Sequence, residues 1–101
     1  MEKQLNKSIL ITGCSTGIGA ALVTEFLKQG FLVFGSVRDK KMEAPLKKKY
    51  GANFVPLVFD VTNYSQISKA YKKVKLTLKG SNLGILINNA CLLYTSDAAD
   101  D

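Results

Sequence analysis

The chain has 101 residues, with 14 Lys or Arg, 8 Asp or Glu, no His, no Trp and an apolar share of 47%. These values exclude wholesale disorder and predict a single globular domain. No apolar run approaches the roughly 18 residues of a membrane span, and the run after the charged start is too short for a signal peptide. The 2 Cys and the lack of His argue against a disulfide framework and a zinc site. We therefore expect a reducing, cytoplasmic setting, no metal and no membrane partner.

Apolar runs alternate with helical repeats along the chain. The runs that predict buried strands are 7–12, 31–37, 53–59 and 83–87, and the repeats that predict helices are 18–29, 40–50 and 63–79. Pro45 could break the second helix, and Pro56 argues that the third strand lies towards an edge or pairs loosely. Strands that alternate with helices predict a parallel sheet covered on both faces. We expect an α/β fold, a Rossmann-type doubly wound parallel sheet, truncated after the fourth strand.

The net charge of +6 raises the possibility of nucleic-acid binding. The lysines of 40–49 and 69–79 recur between apolar residues at spacings of three and four, which is typical of the solvated faces of amphipathic helices. The sequence contains no Arg-rich tract and no strand with interleaved aromatic residues. We therefore expect no nucleic-acid partner, although binding of RNA or DNA by the lysine faces stays an alternative.

A glycine-rich segment, TGCSTGIG, lies between the first predicted strand and the first predicted helix. Gly13 permits a tight turn, Gly17 lets the backbone approach a pyrophosphate, and Gly19 lets the helix lie close to the strand. The helix N-terminus offers free N–H groups to phosphates, and the hydroxyls of Ser15 and Thr16 lie beside that path. The alternative is a glycine-rich turn without a ligand.

The spacing Gly-x3-Gly-x-Gly resembles the opening motif TGxxxGIG of the short-chain dehydrogenase/reductase family. Two further segments of this sequence fit the resemblance: Asp60-Val61 after the third strand, and Asn88-Asn89-Ala90, which matches the start of the family's NNAG. The resemblance covers residues 7–90 and implies that Asp60 holds the adenine amino group. The cofactor-binding residues that it implies are Gly13, Ser15, Thr16, Gly17, Ile18, Gly19, Asp60, Val61, Asn88 and Ala90.

Two of these residues also have a simpler interpretation. Asp60 could cap the turn that follows the third strand. Asn88, together with Asn89, could bond the backbone of a loop at the end of the fourth strand. In the family this structural role and cofactor contact coexist, so the interpretations are compatible.

The end of the second strand predicts the choice of cofactor. An NAD enzyme normally has a carboxylate there, which accepts hydrogen bonds from the ribose hydroxyls. Val37 stands at that position and Arg38 follows it, and a guanidinium suits a 2′-phosphate. We therefore expect NADP(H), with NAD possible. Asp39 could instead pair with Arg38 or supply the missing acid one residue later, and Arg38 could be an ordinary surface residue.

The resemblance implies an enzyme that interconverts a small-molecule alcohol and a carbonyl by hydride transfer, and the family commonly forms homo-oligomers. The family's catalytic Tyr, and the Lys four residues after it, lie well beyond NNAG. We therefore expect no catalytic residue in the 101-residue chain and no dehydrogenase activity from it. Tyr71 and Lys75 have this spacing, but they lie before the fourth strand, and we expect them to be non-catalytic. A non-catalytic nucleotide-binding protein on the same fold is the alternative.

Composition changes abruptly after Ala90. Cys91 stands where the family pattern has Gly, and 91–101 holds 3 of the 8 acids and no Lys or Arg. This segment resembles the translated adapter of a transposase-made sequencing library. We expect 1–90 to be the N-terminal half of a dinucleotide-binding domain and 91–101 a non-native tail, with a divergent C-terminus as the alternative. Cys14 is either a thiol of lowered pKa or a small filler of the glycine loop, and we favour the filler.

Overall fold

Four strands and three α-helices alternate along the described part of the chain. The computed structural model describes residues 7–14, 17–60 and 62–88. Its elements are β1 (Ser8–Ile11), α1 (Gly17–Lys28), β2 (Leu32–Val37), a 3-10 turn (Lys40–Met42), α2 (Glu43–Tyr50), β3 (Phe54–Val58), α3 (Tyr64–Leu78) and β4 (Ile85–Ile87). Each lies within or close to the segment that the sequence predicts. No helix in the described ranges is long and apolar enough to span a membrane.

The four strands form one parallel sheet in the order β3-β2-β1-β4. The chain steps outward from β1 through β2 to β3, then returns to place β4 on the other side of β1. The direction of sheet growth thus reverses between β1 and β4, and this is the switch point at which open α/β sheets bind ligands. The predicted Rossmann-type doubly wound fold is confirmed.

The helices cover the two faces of the sheet unequally. Val23 of α1 and Leu46 of α2 pack with the buried strand residues Ile9, Ile11 and Val33 on one face. On the other face, α3 alone packs against the sheet, through a second cluster made of Phe34, Leu57, Phe59, Ala70 and Val74. Because β4 lies on the opposite side of β1 from β2, a right-handed connection must place α3 on the opposite face from α1 and α2.

Capping side chains define where two of the helical segments begin. Asn63 caps α3 by accepting a hydrogen bond from the Gln66 N–H at 3.0 Å. Asp39 caps the 3-10 turn by accepting from the Lys41 N–H at 2.9 Å. Pro45 does not break α2, because it lies in the first turn, where a missing N–H costs no helical hydrogen bond.

The outer edge of β3 is blocked by two lysines from opposite faces. Lys47 of α2 donates to the Phe54 carbonyl, and Lys73 of α3 donates to the Pro56 carbonyl, each at 2.8 Å. The Phe54 N–H donates to the Gly51 carbonyl at 3.2 Å, and Pro56 has no N–H. Phe54 and Pro56 are two of the three β3 residues whose backbone groups face outward, so this part of the β3 edge cannot readily pair with a further strand. β3 is the terminal strand of the described sheet, as Pro56 predicts.

The face of the sheet beside α3 is partly uncovered. A cleft of about 540 Å³ lies between α3 and the segment that leads into β4, lined mostly by apolar side chains. Leu86 of β4 is 61% exposed on this side. Among residues 7–14, 17–60 and 62–88, this face of the sheet is therefore less covered at β4 than at β3.

We expect the double variant Lys47→Met/Lys73→Met to self-associate at a lower protein concentration than the unchanged chain, because the β3 carbonyls lose their donors. Light scattering and thioflavin fluorescence over a concentration series measure this. Lys48→Met/Lys72→Met is the matched control, since it removes the same charge from exposed positions of the same helices. Equal association of the two double variants would show that overall charge, rather than edge blocking, keeps the chain apart.

Candidate functional site

Three glycines shape the turn between β1 and α1. Gly13 and Gly17 have φ of 65° and 64°, a left-handed conformation that strains residues with a side chain. A Cβ on Gly19 would press on the backbone oxygen of Gly13 and lie 2.9 Å from the Cys14 Cα. A Cβ on Gly17 would have nothing within 4 Å. The turn therefore needs glycine at all three positions, and the space above Gly17 is open to a ligand.

The glycine loop is anchored to the end of β2 by Ser36. Its hydroxyl oxygen accepts from the Gly13 N–H at 3.0 Å, and its carbonyl accepts from the Cys14 N–H at 2.9 Å. Ser36 is buried, so water does not compete for these bonds. This role was not predicted: a small hydroxyl residue within the apolar run of the second strand is a local signal, but it does not identify the residues that Ser36 contacts.

Asn88 ties the end of β4 to the start of the same loop. The Thr12 hydroxyl donates to its side-chain oxygen at 3.2 Å, and the Thr12 N–H donates to the Ile87 carbonyl at 3.1 Å. This is the structural role that the sequence allows for Asn88. It places the side chain at the carboxyl ends of β1 and β4, beside the glycine loop.

Arg38 and Asp60 meet across the ends of the adjacent strands β2 and β3. The Arg38 Nε lies 3.5 Å from the Asp60 Oδ2. The Asp60 Oδ1 accepts from the Thr62 N–H at 2.9 Å and from the Thr62 hydroxyl at 2.8 Å. The Thr62 bonds, with a smaller contribution from Arg38, lower the pKa of Asp60. Asp60 thus caps the turn and also pairs with Arg38, whereas Asp39 caps the 3-10 turn.

The remaining predicted binding residues are placed as follows. Ile18 lies in the first turn of α1 with an exposed side chain. Ser15, Thr16, Val61 and Ala90 lie outside the described residues, as do Asn89 and the segment 91–101. The four described strands run parallel, so Gly13, Arg38, Asp60 and Asn88, which follow β1, β2, β3 and β4, lie at the same end of the sheet. We call this end, formed by the carboxyl ends of the strands, the binding edge.

Cys14 is a buried filler of the loop. A Cβ on Gly35 would lie 2.6 Å from its sulfur and 2.6 Å from the Phe54 ring, so Gly35 is needed to make room for both. Burial raises the pKa of the Cys14 thiol to about 11, the opposite direction from the lowered pKa that a position near a helix N-terminus favours. The sequence pattern does not predict Gly35 as the packing partner of Cys14.

Tyr71 and Lys75 lie away from this edge. The Lys75 ammonium sits 5.4 Å from the centre of the Tyr71 ring, and both residues line the cleft that reaches residues 80–83. Those residues precede β4, at its amino end, whereas the glycine loop is at the carboxyl ends of the strands. The geometry favours a surface cation–π pair over a catalytic one.

Gly19→Ala tests the close approach of α1 to the loop. Alanine normally stabilises a helix relative to glycine, but here its Cβ clashes with backbone that cannot move freely. We expect the free energy of unfolding to fall by about 2–3 kcal/mol, measured by urea denaturation. Thr24→Ala, at an exposed position on the same helix, should change it by less than about 0.5 kcal/mol. A Gly19→Ala protein as stable as the unchanged chain would contradict this packing.

The buried thiol predicts a specific loss of stability at alkaline pH. The unfolded Cys14 loses its proton near the ordinary pKa of 9.0, and the folded one near about 11. Between these values the unfolded state binds fewer protons, so stability falls as pH rises, by about 2–3 kcal/mol at most. The difference in unfolding free energy between the unchanged chain and Cys14→Ala, followed from pH 8 to 11, measures this. A constant difference over that range would contradict it.

Comparisons with known proteins agree with this geometry. A family model described as short chain dehydrogenase matches residues 7–101. The NADPH-dependent 3-dehydrocapnine reductase of Ornithobacterium rhinotracheale is 41% identical over 81 residues, which are 80% of this chain and 29% of that protein. Estradiol 17-beta-dehydrogenase 2 of Rattus norvegicus is 35% identical over 92 residues, which are 87% of this chain and 24% of that protein.

The similarity extends to solved structures. A short chain dehydrogenase from Bacillus anthracis superposes with a TM-score of 0.73 at 28% identity, covering 85% of this chain and 35% of that one. The chain spans less than a third of the length of the two relatives above. With the family match over 7–101, the parallel sheet and the glycine loop, the chain belongs to the short-chain dehydrogenase family.

Proposed function

We propose that this chain forms the adenosine and pyrophosphate half of the cofactor site of an NADP(H)-preferring oxidoreductase. The longer protein would interconvert an alcohol and a carbonyl by hydride transfer. The observation that carries the cofactor preference is the end of β2, where a buried Val37 is followed by Arg38, whose side chain is 80% exposed beside the binding edge.

The positive charge of Arg38 at the carboxyl ends of the strands favours a cofactor with a 2′-phosphate. The guanidinium offers a full positive charge and paired N–H donors, which match a phosphate better than a ribose hydroxyl. Val37 has no group that could accept from the ribose, and the Asp39 carboxylate accepts from the Lys41 N–H. The NADPH dependence of the O. rhinotracheale reductase is a further argument for NADP(H).

The residues present fit the phosphates and the adenosine of such a cofactor. The bare backbone at Gly17 and the N-terminus of α1 would receive the pyrophosphate, with Ser15 and Thr16 proposed to contribute hydroxyls. Arg38 would bind the 2′-phosphate, and Asp60 would face the adenine amino group. The bound cofactor supplies or accepts the hydride.

Neighbouring positions complete the proposed cofactor site. Ile18 and Gly19 lie in the first turn of α1, where we propose that they would adjoin the pyrophosphate. Val61, Asn88 and Ala90 are proposed to contact the cofactor from the ends of β3 and β4. Asn88 accepts a hydrogen bond from the Thr12 hydroxyl. This bond would help the glycine loop to keep its shape as the cofactor binds.

The catalytic groups are proposed to lie in a further part of a longer protein. The chain spans 29% of the O. rhinotracheale relative, and residues 1–90 correspond to the cofactor-binding half that the family resemblance implies. A cytoplasmic location, a small-molecule alcohol or carbonyl substrate and a homo-oligomeric assembly belong to the same proposal. Inactivity of the 101-residue chain alone stays a prediction.

Arg38→Ala tests the cofactor preference. Loss of a charge-assisted, bidentate contact should weaken NADPH binding by about ten- to a hundredfold and leave NADH binding within about twofold, measured by isothermal titration calorimetry. Lys48→Ala removes the same charge from an exposed site on α2 and should change neither affinity appreciably. If NADH binds the unchanged chain as tightly as NADPH does, the proposed preference is wrong.

A further inference from the structure

The Arg38–Asp60 contact joins a fixed anion to an exposed cation. The Asp60 Oδ1 is held by two hydrogen bonds from Thr62, and the Asp60 N–H donates to the Gln66 side-chain oxygen at 2.8 Å. The Asp60 side chain is 33% exposed and the Arg38 side chain 80%. The carboxylate is therefore the rigid partner, and the long arginine side chain is the one whose freedom the contact restricts.

The contact engages the guanidinium at its edge. Asp60 faces Nε, which carries one of the five N–H donors, and the other four belong to the two terminal nitrogens. Those terminal nitrogens form the fork that binds a phosphate through two hydrogen bonds. The same guanidinium can thus contact Asp60 through Nε and a phosphate through its terminal nitrogens.

We propose that Asp60 is a positioning residue for recognition of the 2′-phosphate: its carboxylate holds the Arg38 guanidinium at the ends of β2 and β3, so that the phosphate meets an ordered cation. This inference rests on the proposed NADP(H) preference. It adds to the adenine contact that the family resemblance implies, because Asp60 here acts on the 2′-phosphate through Arg38.

The free-energy balance favours positioning over repulsion. Ordering a long, exposed side chain on binding lowers affinity by about two- to tenfold. The contact with Asp60 already restricts the Arg38 side chain in the free protein, so less conformational entropy is lost when the cofactor binds. Asp60 and the phosphate are both anions, but they lie on different sides of the guanidinium. Their repulsion is weakened by water, by salt and by the cation between them.

Asp60→Asn separates the two roles of this residue. The Asn side-chain oxygen can still accept from the Thr62 N–H and the adenine amino group, but the NH2 group that replaces Oδ2 is a donor and cannot accept from the Arg38 Nε–H. The probes are 2′,5′-ADP and 5′-AMP, which differ by the 2′-phosphate, titrated calorimetrically into the 101-residue chain. We expect the affinity for 2′,5′-ADP to fall by about two- to tenfold and that for 5′-AMP to stay within about twofold.

Two controls isolate the contact. Glu43→Gln makes the same charge change at a residue that pairs with Lys73 at 3.6 Å, and it should leave the ratio of the two affinities unchanged. In an Arg38→Ala background, Asp60→Asn should no longer alter that ratio, because the residue through which Asp60 acts is missing.

Arg38→Lys keeps the test independent of the folding of the Asp60 variant. Lysine preserves the charge at an exposed position but has neither Nε nor a fork, so it cannot contact the carboxylate and hold a phosphate bidentately at once. We expect this variant to lose most of the preference for 2′,5′-ADP. Full preference in Arg38→Lys would overturn the proposal.

The remaining outcomes distinguish this inference from the function on which it rests. If 5′-AMP binds the unchanged chain as tightly as 2′,5′-ADP, the NADP(H) preference itself fails. If the preference exists but Asp60→Asn weakens both ligands equally, Asp60 serves the adenine alone and positioning is rejected. Unchanged or tighter 2′,5′-ADP binding in Asp60→Asn also rejects positioning.

Discussion

A connection between two parallel strands has to cross the sheet, and the right-handed twist of the chain lets it cross in one hand. In this protein β2 and β3 lie to one side of β1, and β4 lies to the other. That order places α1 and α2 on one face and α3 on the opposite face. It also places the reversal of sheet growth between the carboxyl ends of β1 and β4. The glycine loop and Asn88 lie at this switch point, so the position of the candidate site follows from the strand order and from the handedness of the connections.

The glycine loop between β1 and α1 keeps its shape through packing contacts as well as through the backbone conformations that glycine permits. Gly19 allows α1 to rest directly on the Gly13 backbone, and Ser36 fastens the first loop amides to β2. Cys14 fills the space between loop and sheet, which in turn requires Gly35 on β2. β2 therefore holds the glycine loop at its carboxyl end, which is also the end that Arg38 follows. A disturbance of β2 would affect the phosphate-binding backbone and the proposed 2′-phosphate contact together.

Local sequence patterns predicted the parts of the structure that depend on nearby residues. The helical repeats, the apolar runs and the glycine spacing each need only neighbours within a few positions, and the elements and the loop lie where these patterns place them. Pro56 likewise predicts an edge from its missing N–H. The roles of Ser36, Gly35 and Lys73 could not be predicted in this way, because each contact joins segments whose register is fixed only in the folded sheet. The same holds for the contact between Arg38 and Asp60, because the sequence offered Asp39, the neighbour of Arg38, as its acidic partner.

The blocked edge of β3 has a consequence for the order in which the chain folds during its synthesis. Phe54, Pro56, Lys47 and Lys73 all precede β4 in the chain, so a nascent polypeptide can complete that edge before Ile85–Ile87 leaves the ribosome. Among the described strands, β1 then offers the remaining free backbone groups. A strand that emerges after Lys47 and Lys73 have bound the β3 carbonyls would meet fewer free pairing groups on β3 than on β1, in agreement with the observed strand order.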